Sequence, residues 1–181
     1  MTLTYRLTEY DYTQFYLFDA TKSASIKKKR RQSWIMTVSA FLTMALLFWD
    51  SGNKILMYWF LILAGLTLVL YPFYLRYYYK NFYQTFVITT FRNKCNQAST
   101  ITLNEHTIDT VDDISESKIN LSAICGIIET GQYFYLKIIA GATLIIPKFR
   151  LENADEVRKE LQQLAAKLGL QLEMDLNWKW K

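Results

Sequence analysis

The chain has 181 residues, of which 51% are hydrophobic and 16% aromatic, and its formal net charge is +5. Residues 1–32 carry +4, residues 33–80 carry +2 and residues 81–181 carry −1. Because the polar C-terminal part has no excess of cations, the composition argues against nucleic acid as a partner. With one histidine, two cysteines and no glycine-rich phosphate motif, the sequence offers no catalytic, metal or cofactor site, and we expect no cofactor and no enzymatic activity.

The N-terminal segment, residues 1–32, combines a strand, a short helix and a basic run. Residues 2–7 alternate between polar and apolar side chains, which predicts a half-buried strand. Thr8, with Asp11 three residues later, predicts the start of a helix that runs toward Ala20. The first 26 residues are polar and aromatic, so we expect no cleaved secretory signal peptide.

Two apolar runs without charged residues follow, at residues 33–49 and 55–75, with a short polar break between them. The second run would span about 32 Å as a helix, which matches a hydrocarbon core of roughly 30 Å. The first would span about 26 Å and contains serine and threonine. A buried helix of a soluble core is the alternative for this first run, but its position next to the longer run favours a transmembrane hairpin over residues 33–75.

Cations flank the outer ends of this hairpin, whereas its connecting turn contains only Lys54. The two spans predict a multi-pass membrane protein, and the positive-inside rule predicts that both of its termini lie in the cytoplasm. A nucleic-acid or nuclear-localisation role for the basic run is disfavoured, because the run directly precedes an apolar helix. We expect membrane lipids as partners and seven cations at the membrane surface: Lys27, Lys28, Lys29, Arg30, Arg31, Arg76 and Lys80.

The polar part begins with residues 76–98, which we interpret as a juxtamembrane helix. Within it, residues 81–95 fit both a helical and a strand period, and the helix is favoured because nothing breaks the chain there. Residues 99–181 predict one domain, an antiparallel meander of about five strands with hairpin turns at Gly131 and Gly141. The strand runs are residues 99–103, 106–111, 115–120, 123–129, 132–139 and 142–146.

Asn153, with Glu156 three residues later, predicts the start of an amphipathic helix that ends at Gly169 and covers the sheet. The tail, residues 170–181, fits either a membrane-surface segment or a packed or frayed terminus. The predicted fold class is therefore an α+β membrane protein, with a two-helix transmembrane hairpin and a β-meander, a partly open barrel or a sandwich, capped by the C-terminal helix.

Few residues are candidates for chemistry. Lys148 and Arg150 follow Pro147 and are a possible contact for an anionic group or a partner, although a polar strand end is the simpler interpretation. His106 is expected at a strand edge, and the pair Asp112–Asp113 with Glu116 in a solvated turn. Cys95 and Cys125 are expected to be structural or incidental thiols.

Several motifs together resemble the YcxB-like family of bacterial membrane proteins. They are YDY at residues 10–12, IxLSAIxxIIET at 119–130, YFYLKII at 133–139 and, most specifically, IIPKFR at 145–150. The chain departs from the family at Leu121, where tryptophan is common, and at Arg150 and Leu151, where an aromatic residue is usual. The resemblance implies a cytoplasmic pleckstrin-homology-like (PH-like) domain over residues 99–181 and brings no catalytic residues.

The sequence thus predicts a non-enzymatic inner-membrane protein that presents a PH-like interaction module at the cytoplasmic face. The module would bind a protein partner, a second copy of the chain or lipid headgroups. The alternative is an immunity or accessory protein that neutralises a toxin acting at the membrane. Transport by a monomer is disfavoured, because the two apolar runs contain no charged residue to line a pathway.

Overall fold

A computed structural model describes residues 1–112 and 115–180 and has an α+β architecture. Asp113, which belongs to the predicted solvated turn, lies outside the described residues. The helices are α1 (Glu9–Lys22), α2 (Ala24–Asp50), α3 (Lys54–Thr90) and α4 (Ala154–Lys167). The strands are β1 (Thr2–Arg6), β2 (Ala98–Leu103), β3 (Thr107–Asp112), β4 (Glu116–Asn120), β5 (Ile124–Thr130), β6 (Tyr133–Ile138), β7 (Thr143–Pro147) and β8 (Leu172–Asp175).

The chain divides into two compact units. The helical unit comprises Tyr16–Thr85 together with Trp180, and the sheet unit comprises Met1–Phe15 and Phe86–Lys179. The segments before and after the two long helices therefore fold together as one body.

The helical unit contains the two predicted apolar runs, which lie within α2 and α3. Ser23 caps α2, because its hydroxyl accepts the Ile26 N–H at 3.4 Å, and the helix continues through the basic run without a break. Gly52, with a φ of 75°, makes the turn, and Asn53 accepts the Leu56 N–H at 3.3 Å to start α3. Within the described residues, two helices long and apolar enough to cross a membrane are thus confirmed.

These two helices are apolar but poorly buried. In an apolar 18-residue segment of each helix, 6% of the residues of α2 and 11% of those of α3 are buried. Ser33 and Tyr71 share a hydrogen bond of 2.6 Å between their hydroxyls, and Phe60 stacks on Phe48 with ring centres 5.5 Å apart. The helix predicted for residues 81–95 is confirmed as far as Thr90, where α3 ends.

The first sheet of the sheet unit has the order β1-β2-β3-β4, and all its neighbouring strands are antiparallel. The strand predicted for residues 2–7 is its first member and pairs with β2, so that Leu3 lies opposite Ile101. Leu3, Ile101 and Ile108 are buried on one face. The opposite face contains threonine pairs, with the hydroxyls of Thr4 and Thr100 at 3.2 Å.

The second sheet has the order β7-β6-β5-β8. Its central strand β6 is fully buried from Tyr133 to Leu136, and α4 buries Val157, Leu161, Leu164 and Ala165. Each of the valine and leucine side chains among them contributes about 1.5–3 kcal/mol when it leaves water. The predicted cap of α4 is confirmed, since Asn153 accepts the Glu156 N–H at 3.4 Å.

The predicted barrel is not closed, because the strands of the described residues form two open sheets of four. The meander is interrupted at Leu121–Ala123, where a 3₁₀ turn separates β4 from β5. Both edges of β5 are then occupied, one by β6 and the other by β8, which pairs with β5 in parallel. No edge of β5 is left for β4, so the ladder cannot continue from one sheet to the other.

The hairpin turns predicted at Gly131 and Gly141 are confirmed. Gly131 also lies in close contact with the backbone of the C-terminal tail at Leu176. A Cβ atom at this position would lie 2.8 Å from the carbonyl oxygen of Leu176, directly after β8. Only glycine therefore lets the tail approach the turn between β5 and β6 this closely.

We predict that Gly131→Ala destabilises the sheet unit by about 1–3 kcal/mol, because the tail backbone must move away from the added methyl group. Denaturant unfolding of the full chain in detergent micelles measures the loss, and hydrogen exchange should become faster in β8. Gly126→Ala is the matched control: its Cβ would meet only the Lys137 Cβ at 3.9 Å. A change within about 1 kcal/mol is expected there. Equal effects of the two substitutions would contradict the close approach at Leu176.

Candidate functional site

Two buried carboxylates organise a group of charged residues inside the sheet unit. Asp11 and Glu129 are both 0% exposed, and three cations surround them: Lys148, Arg150 and Arg158. We call these five residues, together with Thr130 and Tyr133, the polar network. Its members come from α1, β5, β6, the 3₁₀ turn Lys148–Arg150 and α4.

Asp11 joins the start of α1 to the second sheet. Its Oδ2 accepts the Thr8 N–H at 2.7 Å and the Thr8 hydroxyl at 2.8 Å, which confirms the predicted helix start. Its Oδ1 accepts the Tyr133 hydroxyl at 2.8 Å, and the Arg150 guanidinium lies 3.0 Å from Oδ2. One buried carboxylate thus fixes the helix terminus and connects it to β6 and to the turn after β7.

Glu129 joins β5 to the same turn and to α4. Its Oε1 accepts Lys148 Nζ at 2.5 Å and Arg158 Nε at 2.9 Å, and a second nitrogen of Arg158 also contacts it. Lys148 Nζ donates as well to the Thr130 carbonyl at 2.6 Å and lies 4.6 Å from the centre of the Phe134 ring. Lys148 and Arg158 together hold the buried charge of Glu129 in place.

Burial and hydrogen bonding shift the pKa values of two groups of the network, Glu129 and Tyr133. Burial raises the pKa of Glu129, but hydrogen bonds from Arg158 and Lys148 outweigh burial, so the pKa lies below its usual range. Burial and then the hydrogen bond to Asp11 raise the pKa of the Tyr133 phenol. At neutral pH the Glu129 carboxylate is charged and the Tyr133 phenol keeps its proton. Neither is poised to exchange a proton, so the network is suited to holding elements together.

Cys95 also belongs to the sheet unit, and the charge of Asp11 affects its thiol. Burial, and then the charges of Glu9 and Asp11, raise the pKa of its thiol. A thiol that keeps its proton at neutral pH is a weak nucleophile. The second cysteine, Cys125, is exposed, and both thiols are free.

The predicted membrane-surface cations lie in the helical unit, five on α2 and two on α3. Lys27, Arg30, Arg31 and Trp34 follow the spacing i, i+3, i+4, i+7 and share one face of α2. Arg30 is held between two aromatic rings, with its guanidinium 5.7 Å from the Tyr79 ring centre and 5.5 Å from that of Trp180.

That face of α2 borders an open groove of about 250 Å³, completed on α3 by Pro72 and Leu75. We call it the basic groove, lined by Lys27, Arg30, Arg31, Trp34, Pro72 and Leu75. Lys28, Lys29, Arg76 and Lys80 are not among its lining residues. The structure thus separates the predicted surface cations into groove and non-groove residues.

The predicted anion or partner contacts, Lys148 and Arg150, lie in the 3₁₀ turn after β7, and each contacts a buried carboxylate. Sequence reasoning missed Asp11, Glu129, Tyr133 and Arg158 as members of the same site. One signal was present: Glu129 follows the apolar pair Ile127–Ile128 near the end of β5, and a charge in that position needs a partner. Among residues 1–112 and 115–180, no group of three or more His, Cys, Asp or Glu side chains is arranged to hold a metal ion.

We predict that Glu129→Gln destabilises the sheet unit by about 3–5 kcal/mol, because it leaves Lys148 and Arg158 without their shared carboxylate. Asp155→Asn is the matched control, since Asp155 also pairs with Arg158, at 3.5 Å, but is 85% exposed. A loss below about 1 kcal/mol is expected for this exposed pair. Denaturant unfolding of the full chain in micelles measures both.

The wild type and Glu129→Gln also differ in how their stabilities should depend on pH. Because the pKa of Glu129 is lower in the folded than in the unfolded chain, its stabilisation is present above the ordinary carboxyl range. It is lost as pH falls through the lowered pKa, so the stabilities of wild type and Glu129→Gln should converge in acid. A difference that stays constant with pH would contradict the role of the charge.

Comparisons with protein-family models, with curated proteins and with solved structures found no match. The resemblance to YcxB-like proteins, and the PH-like module that it implies, therefore stay predictions from the sequence motifs.

Proposed function

We propose that the chain is a non-enzymatic, two-span protein of a bacterial inner membrane that presents its sheet unit at the cytoplasmic face as an interaction module. The observation that carries the proposal is the exposure of the apolar side chains on α2 and α3. Leu46 is 69% exposed, Ile55 74% and Val69 60%. In water such a surface would be strongly unfavourable, whereas lipid tails are a suitable solvent for it.

The pairing within the sheet unit supports two crossings. β1 and the start of α1 precede the hairpin, yet β1 pairs with β2 and Asp11 bonds Tyr133, which both follow it. Segments that fold together must share one side of the membrane, so the chain between them crosses an even number of times. One spanning helix would separate these segments, and two spans keep them together. The excess of cations at the outer ends favours the cytoplasm as their common side.

The polar network supports a non-enzymatic role. Lys148, Arg150 and Arg158 are engaged with Glu129 and Asp11, and the pKa values of Glu129 and Tyr133 are shifted away from neutrality. The same contacts connect α1, β5, β6 and α4 of the module, which suits recognition of a partner through its surface.

The edge strand β4 is the surface that we propose for a protein partner. Within the described residues it pairs only with β3, and four of its five residues are exposed. An exposed edge can accept a strand from another chain through backbone hydrogen bonds. Glu116 and Lys118 on β4 oppose unspecific pairing, so we expect a specific partner.

We predict that a thiol reagent labels the hairpin turn and the sheet unit from opposite sides of the membrane. In a chain with Cys95→Ser and Cys125→Ser, Ser51→Cys should react with a membrane-impermeant maleimide on intact spheroplasts, because residue 51 would lie outside. Ser117→Cys should react only after lysis. Labelling of both positions from the same side, or extraction of the chain by carbonate as a soluble protein, would contradict the two-span proposal.

We predict that a photoreactive amino acid at Lys118 forms one specific protein adduct in native membranes, identified by mass spectrometry. Thr102 is the matched control, since it lies in the same cross-strand row but inside the sheet. It should give no adduct, because a partner paired with the edge of β4 would not reach it. Adducts at both positions would favour binding to the sheet face, and no adduct at Lys118 would refute the edge as the partner surface.

A further inference from the structure

We infer that the basic groove of the helical unit binds the phosphate of one anionic glycerophospholipid of the cytoplasmic leaflet. This inference rests on the proposed membrane insertion and adds a specific ligand site to it. The lining of the groove combines three cations, a tryptophan and two apolar side chains.

The cations of the groove are free to bind an anion. Among the residues that the structure describes, no carboxylate forms an ion pair with Lys27, Arg30 or Arg31. Arg30 is nevertheless held in place by the rings of Tyr79 and Trp180, and the Trp180 Nε1–H donates to the Arg76 carbonyl at 3.2 Å. A guanidinium that is already positioned loses less conformational entropy when it binds a phosphate.

Trp34, which lines the groove, has a polar donor without a partner among the described residues. The Nε1 of Trp34 is buried and forms no hydrogen bond with any described residue. An indole N–H can only donate, and leaving a buried donor unpaired is unfavourable. A phosphate or ester oxygen of a lipid would supply the missing acceptor beside Arg30 and Arg31.

The position and the wall of the groove favour a lipid over free phosphate. Lys27, Arg30 and Arg31 lie just before the apolar run 33–49, while Leu75 ends the run 55–75. The groove therefore lies where the hydrocarbon region meets the headgroups. The cations can contact the phosphate there, and Pro72 and Leu75 provide an apolar surface for the glycerol and the first acyl methylenes.

Native mass spectrometry of the full-length protein, released from micelles with defined lipids, tests the inference. The wild type should retain one phosphatidylglycerol or cardiolipin in preference to phosphatidylcholine. Arg30→Gln with Arg31→Gln should weaken this retention about tenfold or more, because charge-assisted contacts to phosphate are lost. Trp34→Phe, which keeps a ring but removes the N–H, should weaken retention of the anionic lipid as well.

Lys28→Gln with Lys29→Gln is the matched control, since it removes the same charge from the same basic run outside the groove. Retention of the anionic lipid by this variant should stay close to that of the wild type. Equal losses in both double variants would indicate diffuse attraction and overturn the site, as would equal retention of phosphatidylcholine. Displacement of the lipid by millimolar inorganic phosphate would identify a free anion as the ligand and would also overturn it.

Maleimide labelling of Ser51→Cys in the same variants separates the two proposals. A chain that is inserted but shows no preference for anionic lipid refutes the groove alone. A chain that is not inserted refutes both.

Discussion

The contacts of Asp11 are the interaction on which the rest of the structure depends. Asp11 lies before the two apolar helices, and its buried carboxylate binds Tyr133 and Arg150, which lie after them. The partners are more than a hundred residues away along the chain, so the contact closes a large loop that contains α2 and α3. Together with the pairing of β1 and β2, it makes the two flanks of the hairpin one folded body.

The contacts of Asp11 with Tyr133 and Arg150 connect the side-chain chemistry of the network to the proposed two-span topology. A buried carboxylate that loses its partners is strongly unfavourable, so the network favours one arrangement of α1, the second sheet and α4. Glu129 has the same role on the other side of the turn Lys148–Arg150, where it holds Lys148 and Arg158. The motifs that carry the YcxB-like resemblance, YDY, IIET, YFY and IIPKFR, each contribute a residue to this network, which gives those motifs a physical meaning independent of the resemblance.

Local patterns in the sequence predicted most of the elements. The helix starts at Thr8 and Asn153, the turns at Gly131 and Gly141 and the two apolar helices each depend on neighbouring residues, and they are found as expected. The split into two sheets was not predictable, because it depends on a long-range contact. β8 follows α4 in the chain and pairs in parallel with β5, which precedes α4. The partners of Glu129 were missed because Arg158 follows the pattern of an ordinary solvated helix residue. Likewise, the cations of the basic groove are visible on α2, but Pro72 and Leu75 join them only through helix packing.

We propose above all that α2 and α3 lie in lipid and leave the sheet unit in water. Spin labels placed singly along α3 from residue 55 to residue 90, in the full chain reconstituted in bilayers, test it through their collisions with oxygen and with a water-soluble nickel complex. We expect oxygen accessibility to be highest near Gly65 and nickel accessibility to rise beyond Leu75. Uniform accessibility to the nickel complex along the whole helix would show that α3 lies in water and would contradict the account.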